Sequence, residues 1–116
     1  MPHCIVEFSQ NLSQEVPPMD MLEAVRDATM ASELFTQEDI KLRALPYKDF
    51  LTAGTEDAFI HVTLRILAGR SQQQKQRLSQ MVLDAIMAFA LKDVSFTVEV
   101  CDMDRDTYCK KVVLSS

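Results

Sequence analysis

Ala58-Phe59-Ile60-His61-Val62-Thr63-Leu64-Arg65-Ile66, followed after two residues by Gly69-Arg70-Ser71 and then by Gln72 to Leu91, reads as a strand, a break and a helix in one stretch. In the first part Ala58, Ile60, Val62, Leu64 and Ile66 alternate with Phe59, His61, Thr63 and Arg65, the period of a strand with one apolar face. Beyond the break, Leu78, Met81, Val82, Ala85, Ile86 and Phe89 recur at spacings of three and four, the period of an amphipathic helix. Ser71 stands where an N-cap belongs. The C-terminal half of this helix is apolar nearly all round, through Met87, Ala88 and Ala90, and needs cover on more than one side.

The same order appears twice. Cys4, Val6 and Phe8 alternate with His3, Ile5 and Glu7, and Ile40, Leu42 and Ala44 alternate with Lys41, Arg43 and Leu45. Between them, Pro17 and Pro18 stop strand and helix alike, and Asp20 can cap a helix bearing Leu22, Val25, Ala28 and Thr29 on one side. After the long helix, Phe96, Val98 and Val100 alternate with Ser95, Thr97 and Glu99. The chain is therefore expected to be one domain, 1–116, built of two β-α-β halves at about 2–45 and 58–101. Crossover helices join parallel strands and lie on one face of the sheet. The expected fold is α+β: a four-stranded sheet with two helices on one face. Pro46 to Asp57 reads as a loop with a short helical turn at Tyr47 to Leu51, and Cys109 to Leu114 as a short final strand.

With both helices on one side, the other side of the sheet would show His3, Ile5, Glu7, Lys41, Arg43, Phe59, His61, Thr63, Arg65, Thr97 and Glu99. For a monomer the plain reading is a solvated face, but charges of both signs with Ile5, Leu45 and Phe59 among them also suit a sheet packed around a symmetry axis. The pattern does not fix the number of subunits.

Bulk composition excludes several classes. The chain has 116 residues, 47% of them hydrophobic, which describes an ordinary soluble globule. A net charge of -5 argues against a nucleic-acid binder and against docking on anionic membrane. No apolar run is long enough to span a bilayer. The start lacks the basic and apolar regions of a secretory signal, so the expected location is the cytoplasm. Cys4, Cys101 and Cys109 are odd in number and lack metal-ligand spacing, so neither a disulfide scaffold nor a zinc site is expected. His3 and His61 share a face without a carboxylate or cysteine at ligand spacing, and no metal is expected there. Ser9, Ser79 and the cysteines lack the neighbours of a nucleophile. With only Gly54 and Gly69 there is no glycine-rich phosphate loop, and no cofactor is expected.

The candidate chemistry lies at the amino end. Removal of an initiator methionine ahead of Pro2 leaves a free secondary amine. Such an amine has an ordinary pKa of about 7.7–8.0, lowered by burial or a neighbouring cation. A neutral base poised near pH 7 is what general base catalysis needs. Arg70 opens the long helix, where free N–H groups already favour anions and a guanidinium can grip a carboxylate with two hydrogen bonds. Lys41 and Arg43 sit two apart on one face of the second strand. Their plain structural use would be pairing with Glu7 and Glu99. An amine base, Pro2, with the cations Arg70, Lys41 and Arg43 near it describes a proton-transfer site for a small dicarboxylate.

Met1-Pro2-His3-Cys4-Ile5-Val6-Glu7 together with Ala58–Ile66 and Ala68-Gly69-Arg70-Ser71 resembles the 5-carboxymethyl-2-hydroxymuconate isomerase family of the tautomerase superfamily. Ser95-Phe96 and Glu99 add weaker support, and the likeness runs from Pro2 to about Val100. The resemblance implies a tautomerase-like β-α-β-β-α-β subunit assembled as a homotrimer. It implies an isomerase in the breakdown of homoprotocatechuate, with Pro2 as base and Arg70 and Lys41, and less directly Arg43, holding substrate carboxylates. Pro2 would take the 2-hydroxy proton of a 2-hydroxymuconate-type dienol and return a proton to a carbon further along. The family usually has arginine where this chain has Lys41; lysine keeps the charge and loses the two-pronged geometry. The tail is shorter than in relatives, which lowers its expected share of subunit contacts. The same scaffold also serves cytokine-like proteins such as macrophage migration inhibitory factor, non-catalytic or ligand-binding trimers. It further serves dehalogenases and decarboxylases, for which Glu7 or Glu99 would have to enter the pocket.

Overall fold

Four strands, β1 (His3–Ser9), β2 (Lys41–Tyr47), β3 (Ala58–Leu67) and β4 (Val94–Met103), form one sheet in the order β2-β1-β3-β4 in the computed structural model, which describes residues 1–55 and 57–115. Glu56, within the expected loop 46–57, and Ser116 lie outside the described residues. β1 runs parallel to β2 and β3 parallel to β4, while β1 and β3 meet antiparallel in the middle. Each parallel pair is bridged by a helix, α1 (Pro18–Ala31) or α2 (Gln72–Met87). This is the β-α-β-β-α-β order expected from the alternation.

The alternating apolar residues meet one core. Cys4, Val6 and Phe8 of β1 and Ile60, Val62, Leu64 and Ile66 of β3 are buried against Met21 and Val25 of α1 and Leu78, Val82 and Ile86 of α2. Both helices thus cover the same sheet face. On the edge strands Leu42, Ala44, Phe96 and Val98 pack only partly against it. The thiol of Cys4, inside this core, is pushed up to about 11 by burial.

Several local expectations are corrected. Helix α1 starts at Pro18 rather than being capped by Asp20. Proline at the first helical position loses no hydrogen bond, and its fixed φ suits the helix. Asp20 sits inside the first turn, where its charge complements the dipole. Helix α2 ends at Met87, short of Leu91. Ala90 takes the left-handed φ of 54° and its N–H bonds Met87 O, so the last residues form a tight turn. That turn brings Phe89 and Leu91 back to the core, which provides part of the cover the apolar helix end requires.

No helical turn forms at 47–51. β2 continues through Pro46, tolerated on an edge strand, to Tyr47, whose hydroxyl donates to Glu7 Oε2. Phe50 then packs edge-on against Phe59, with ring centroids 5.5 Å apart. Cys109 to Leu114 is not a strand. An extended segment becomes one only with a ladder partner, and nothing among the described residues pairs it. Val113 and Leu114 are more than 80% exposed, at 83% and 82%. Among the described residues no helix is long and apolar enough to cross a membrane.

Ser71 caps α2 as read. Its hydroxyl accepts from Gln74 N, and the Gln74 side chain accepts from Ser71 N, closing a capping box. Ser71→Ala is expected to cost about 1 kcal/mol in chemical denaturation. An unchanged midpoint would mean that the Gln74 half of the box suffices alone.

Candidate active site

The chain's amino end is buried rather than frayed. Met1 and Pro2 are both buried, and the Pro2 carbonyl accepts from Lys41 N at 3.0 Å, extending the β1–β2 ladder by one bond. The α-ammonium of Met1 donates to Asp39 O at 2.9 Å. Its pKa lies below the ordinary value. Burial is the largest cause; Asp39 opposes it, and the charges of Lys41, Lys110 and Arg70 add to it. With Met1 attached, the Pro2 nitrogen is an amide.

Met1 opens onto a cleft of about 360 Å³ lined also by Asp39, Leu67, Arg70, Arg105, Tyr108 and Lys110. Arg70 reaches it from the break between β3 and α2. Its guanidinium donates to Leu34 O at 3.0 Å and to Leu67 O at 3.4 Å and lies over the Phe35 ring, 4.9 Å from the centroid. These contacts tie the end of β3 to the loop after α1 and leave Arg70 without a carboxylate partner among the described residues. Asp39, the acid of the cleft, is occupied. Lys110 Nζ sits 2.9 Å from its Oδ1 and Thr36 donates to it, and these bonds, with the terminal ammonium, hold its carboxyl down at about 2.

The structure therefore brings Arg70 to the amino terminus. Lys41 stands beside it, in register with His3, and its charge reaches the terminal amine without its side chain lining the cleft. Arg43 lies further along β2 and contacts His3 Nδ1 at 3.1 Å. It does not pair with Glu7 or Glu99, contrary to the pairing read from the sequence. Burial, then Arg43 and Lys41, keep the His3 pKa below its usual value. The other histidine, His61, meets Thr97 and Glu99 on the open sheet face, at 2.6 and 3.1 Å. Glu7 and Glu99 are thus engaged on that face, by Tyr47 and His61, and neither lines the cleft. Among the described residues no group of three or more His, Cys, Asp or Glu could hold a metal ion.

Asp39, Arg105, Tyr108 and Lys110 were missed by the sequence reading. The last three arrive on the turn and coil after β4, which carry no periodic signal. The one available hint was the density of charge in Asp102–Lys111, which a solvated turn explains equally well.

The model of the 5-carboxymethyl-2-hydroxymuconate isomerase family matches residues 2–114. The chain is 32% identical over 108 residues to a 5-carboxymethyl-2-hydroxymuconate Delta-isomerase of Escherichia coli, covering 85% of this chain and 86% of that protein. Among solved structures it resembles a 5-carboxymethyl-2-hydroxymuconate isomerase from Deinococcus radiodurans R1. The TM-score is 0.82 at 24% identity, over 95% of this chain and 88% of the other. It also resembles a fused 4-OT symmetric trimer, with a TM-score of 0.76 at 14% identity, over 94% of this chain and 93% of that one. At these identities the two structures speak for the fold.

Proposed function

Because the chain belongs to the 5-carboxymethyl-2-hydroxymuconate isomerase family, we propose that it converts a 2-hydroxymuconate-type dicarboxylate dienol to its 2-oxo-3-ene form with Pro2 as the base. The observation that carries this reading is the environment of the amino terminus. The Met1 amine is partly buried at the mouth of a cleft, with a lowered pKa and, in the same cleft, an arginine without a carboxylate partner among the described residues. Once Met1 is removed, the Pro2 secondary amine takes the 2-hydroxy proton of the substrate. The dienolate is held by Arg70, with Lys41 and more remotely Arg43 adding positive potential where negative charge develops. The protonated amine then returns a proton to a carbon further along the conjugated system, giving the α,β-unsaturated ketone. No cofactor takes part in this scheme. The pathway proposed for it is the breakdown of homoprotocatechuate in the cytoplasm. The test is ketonisation of a 2-hydroxymuconate, followed by ultraviolet absorbance, on chains that begin at Pro2.

The functional unit we infer is a homotrimer. The helices cover one sheet face, leaving Ile5, Phe59 and the half-exposed Leu45 on the other among His61, Glu99 and Arg43. Cross-strand polar contacts already order that face, and its apolar members gain from burial between copies. Sedimentation at micromolar concentration is expected to give a species of three chains. A stable 13.2 kDa monomer there would overturn the assembly.

A further inference from the structure

The cleft has a second cationic end that the proposed reaction leaves unused. After β4 the chain turns, and Arg105 folds back over Gly69, donating from Nε to Ala68 O. Gly69 lies beneath it at φ +129°, a conformation side chains rarely adopt, and a Cβ there would meet Arg105 Nη2 at 3.5 Å, an ordinary contact, so the backbone and not the arginine calls for glycine. Tyr108 fastens the turn to β1, its hydroxyl 2.9 Å from His3 Nε2 and its ring edge-on to the imidazole. The charge of Lys110 is taken by Asp39. Arg105, like Arg70, has no carboxylate partner among the described residues, and both line the cleft. In a chain of net charge -5, two arginines in one cleft with no carboxylate partner among the described residues suit two anionic groups.

We propose that Arg105 is a specificity-determining residue, binding the second carboxylate of a linear dicarboxylate whose first carboxylate is held by Arg70. This rests on the reading of the cleft as a dicarboxylate site. It assigns the selection of two charged ends over one to the carboxy-terminal turn, not to the strands that carry the other candidate residues. A substrate with the same carbon skeleton and a single carboxylate would use Arg70 alone.

trans,trans-Muconate and sorbate share a skeleton and differ by one terminal carboxylate, and neither needs to react. Their binding to the full chain beginning at Pro2, checked by intact mass, is measured by calorimetry. The unsubstituted protein is expected to prefer muconate by roughly tenfold or more. Arg105→Ala is expected to weaken muconate by about tenfold and sorbate by less than about twofold. Arg105→Gln, which retains a donor for Ala68 O, should lose the same selectivity, and Arg105→Lys should keep part of it. Equal weakening of both ligands would make Arg105 a brace for the turn. Unchanged muconate binding, or no preference in the unsubstituted protein, would equally overturn the proposal. A muconate-selective loss in a protein that ketonises nothing would uphold the carboxylate assignment and reject the proton-transfer reading.

Discussion

Protein in which every chain begins at Pro2 is expected to ketonise a 2-hydroxymuconate at least about 100-fold faster than protein that keeps Met1, the lower end of what a positioned general base contributes. The physical reason is the bonding state of one nitrogen. With Met1 in place that nitrogen is an amide with no useful basicity. Met1 is itself only 9% exposed and occupies the mouth of the cleft, anchored through Asp39 O. Its removal frees a secondary amine beside Lys41, the residue whose N–H bonds the Pro2 carbonyl. Burial and the cations that hold the Met1 ammonium down, opposed by Asp39, are expected to act on the freed amine as well and to disfavour its protonated form. A base with a lowered pKa is neutral over a wider range, so activity should rise with pH along a limb whose midpoint lies below about 8. Intact-mass analysis gives the processed fraction, and rate should track it across preparations. Equal rates from fully processed and fully Met1-retaining samples would eliminate the proline mechanism.

Arg70→Ala is expected to lower kcat/KM by roughly 30- to 1000-fold, the 2–4 kcal/mol that losing one partner of a desolvated charge pair commonly costs. Both parameters should move, with KM rising and kcat falling, because the dienolate carries more charge in the transition state than the dienol does in the ground state. Arg70 also braces the loop after α1 against the end of β3 through Leu34 O and Leu67 O, so a purely structural effect has to be separated. Those carbonyl contacts, on a half-buried side chain, are worth about 1 kcal/mol each in stability. A melting curve reads that part. Arg70→Lys keeps the charge without the fork and should fall between the two enzymes. Lys41→Arg is the reciprocal change, expected to preserve or improve turnover of a dicarboxylate. An Arg70→Ala enzyme with unchanged kcat/KM would leave Arg70 a loop brace only.

Where a side chain's partner is set by strand register, the sequence was readable. The alternation in β3 names its five buried residues one by one, and the same period placed Cys4, Val6 and Phe8 in the core. Pro2 and Arg70 could be singled out in the sequence because the chemistry proposed for them is local: an amine that processing would free, and a guanidinium at a helix start. What could not be read depends on partners distant in sequence. Glu7 bonds Tyr47 rather than a cation, since β2 runs two residues further than its apolar pattern. Arg105, Tyr108 and Lys110 enter the cleft from a coil whose path is set by Ala68, His3 and Asp39, none of which marks the tail in advance. The length of α2 was misjudged because alanine favours helix intrinsically, while at Ala90 a left-handed turn returns Phe89 and Leu91 to the core.

The central position of β1 in the sheet has a consequence for how the molecule is made. The first residues of most chains are loose, fraying in hydrogen exchange and open to proteases. Here the first strand is flanked on both sides, by β2 and by β3, which leave the ribosome later. Its pairings, His3 with Lys41 and His3 with Arg65, join parts of the chain far apart in sequence, the kind of closure that slows folding. One edge of β1 thus stays unpaired until β3 exists, even after β2 has paired the other. Met1 is only 9% exposed once the sheet has closed, so its excision is expected to be easier before closure than after. On the mechanism proposed for Pro2, the timing of excision relative to folding would then set how many finished molecules carry a free proline amine.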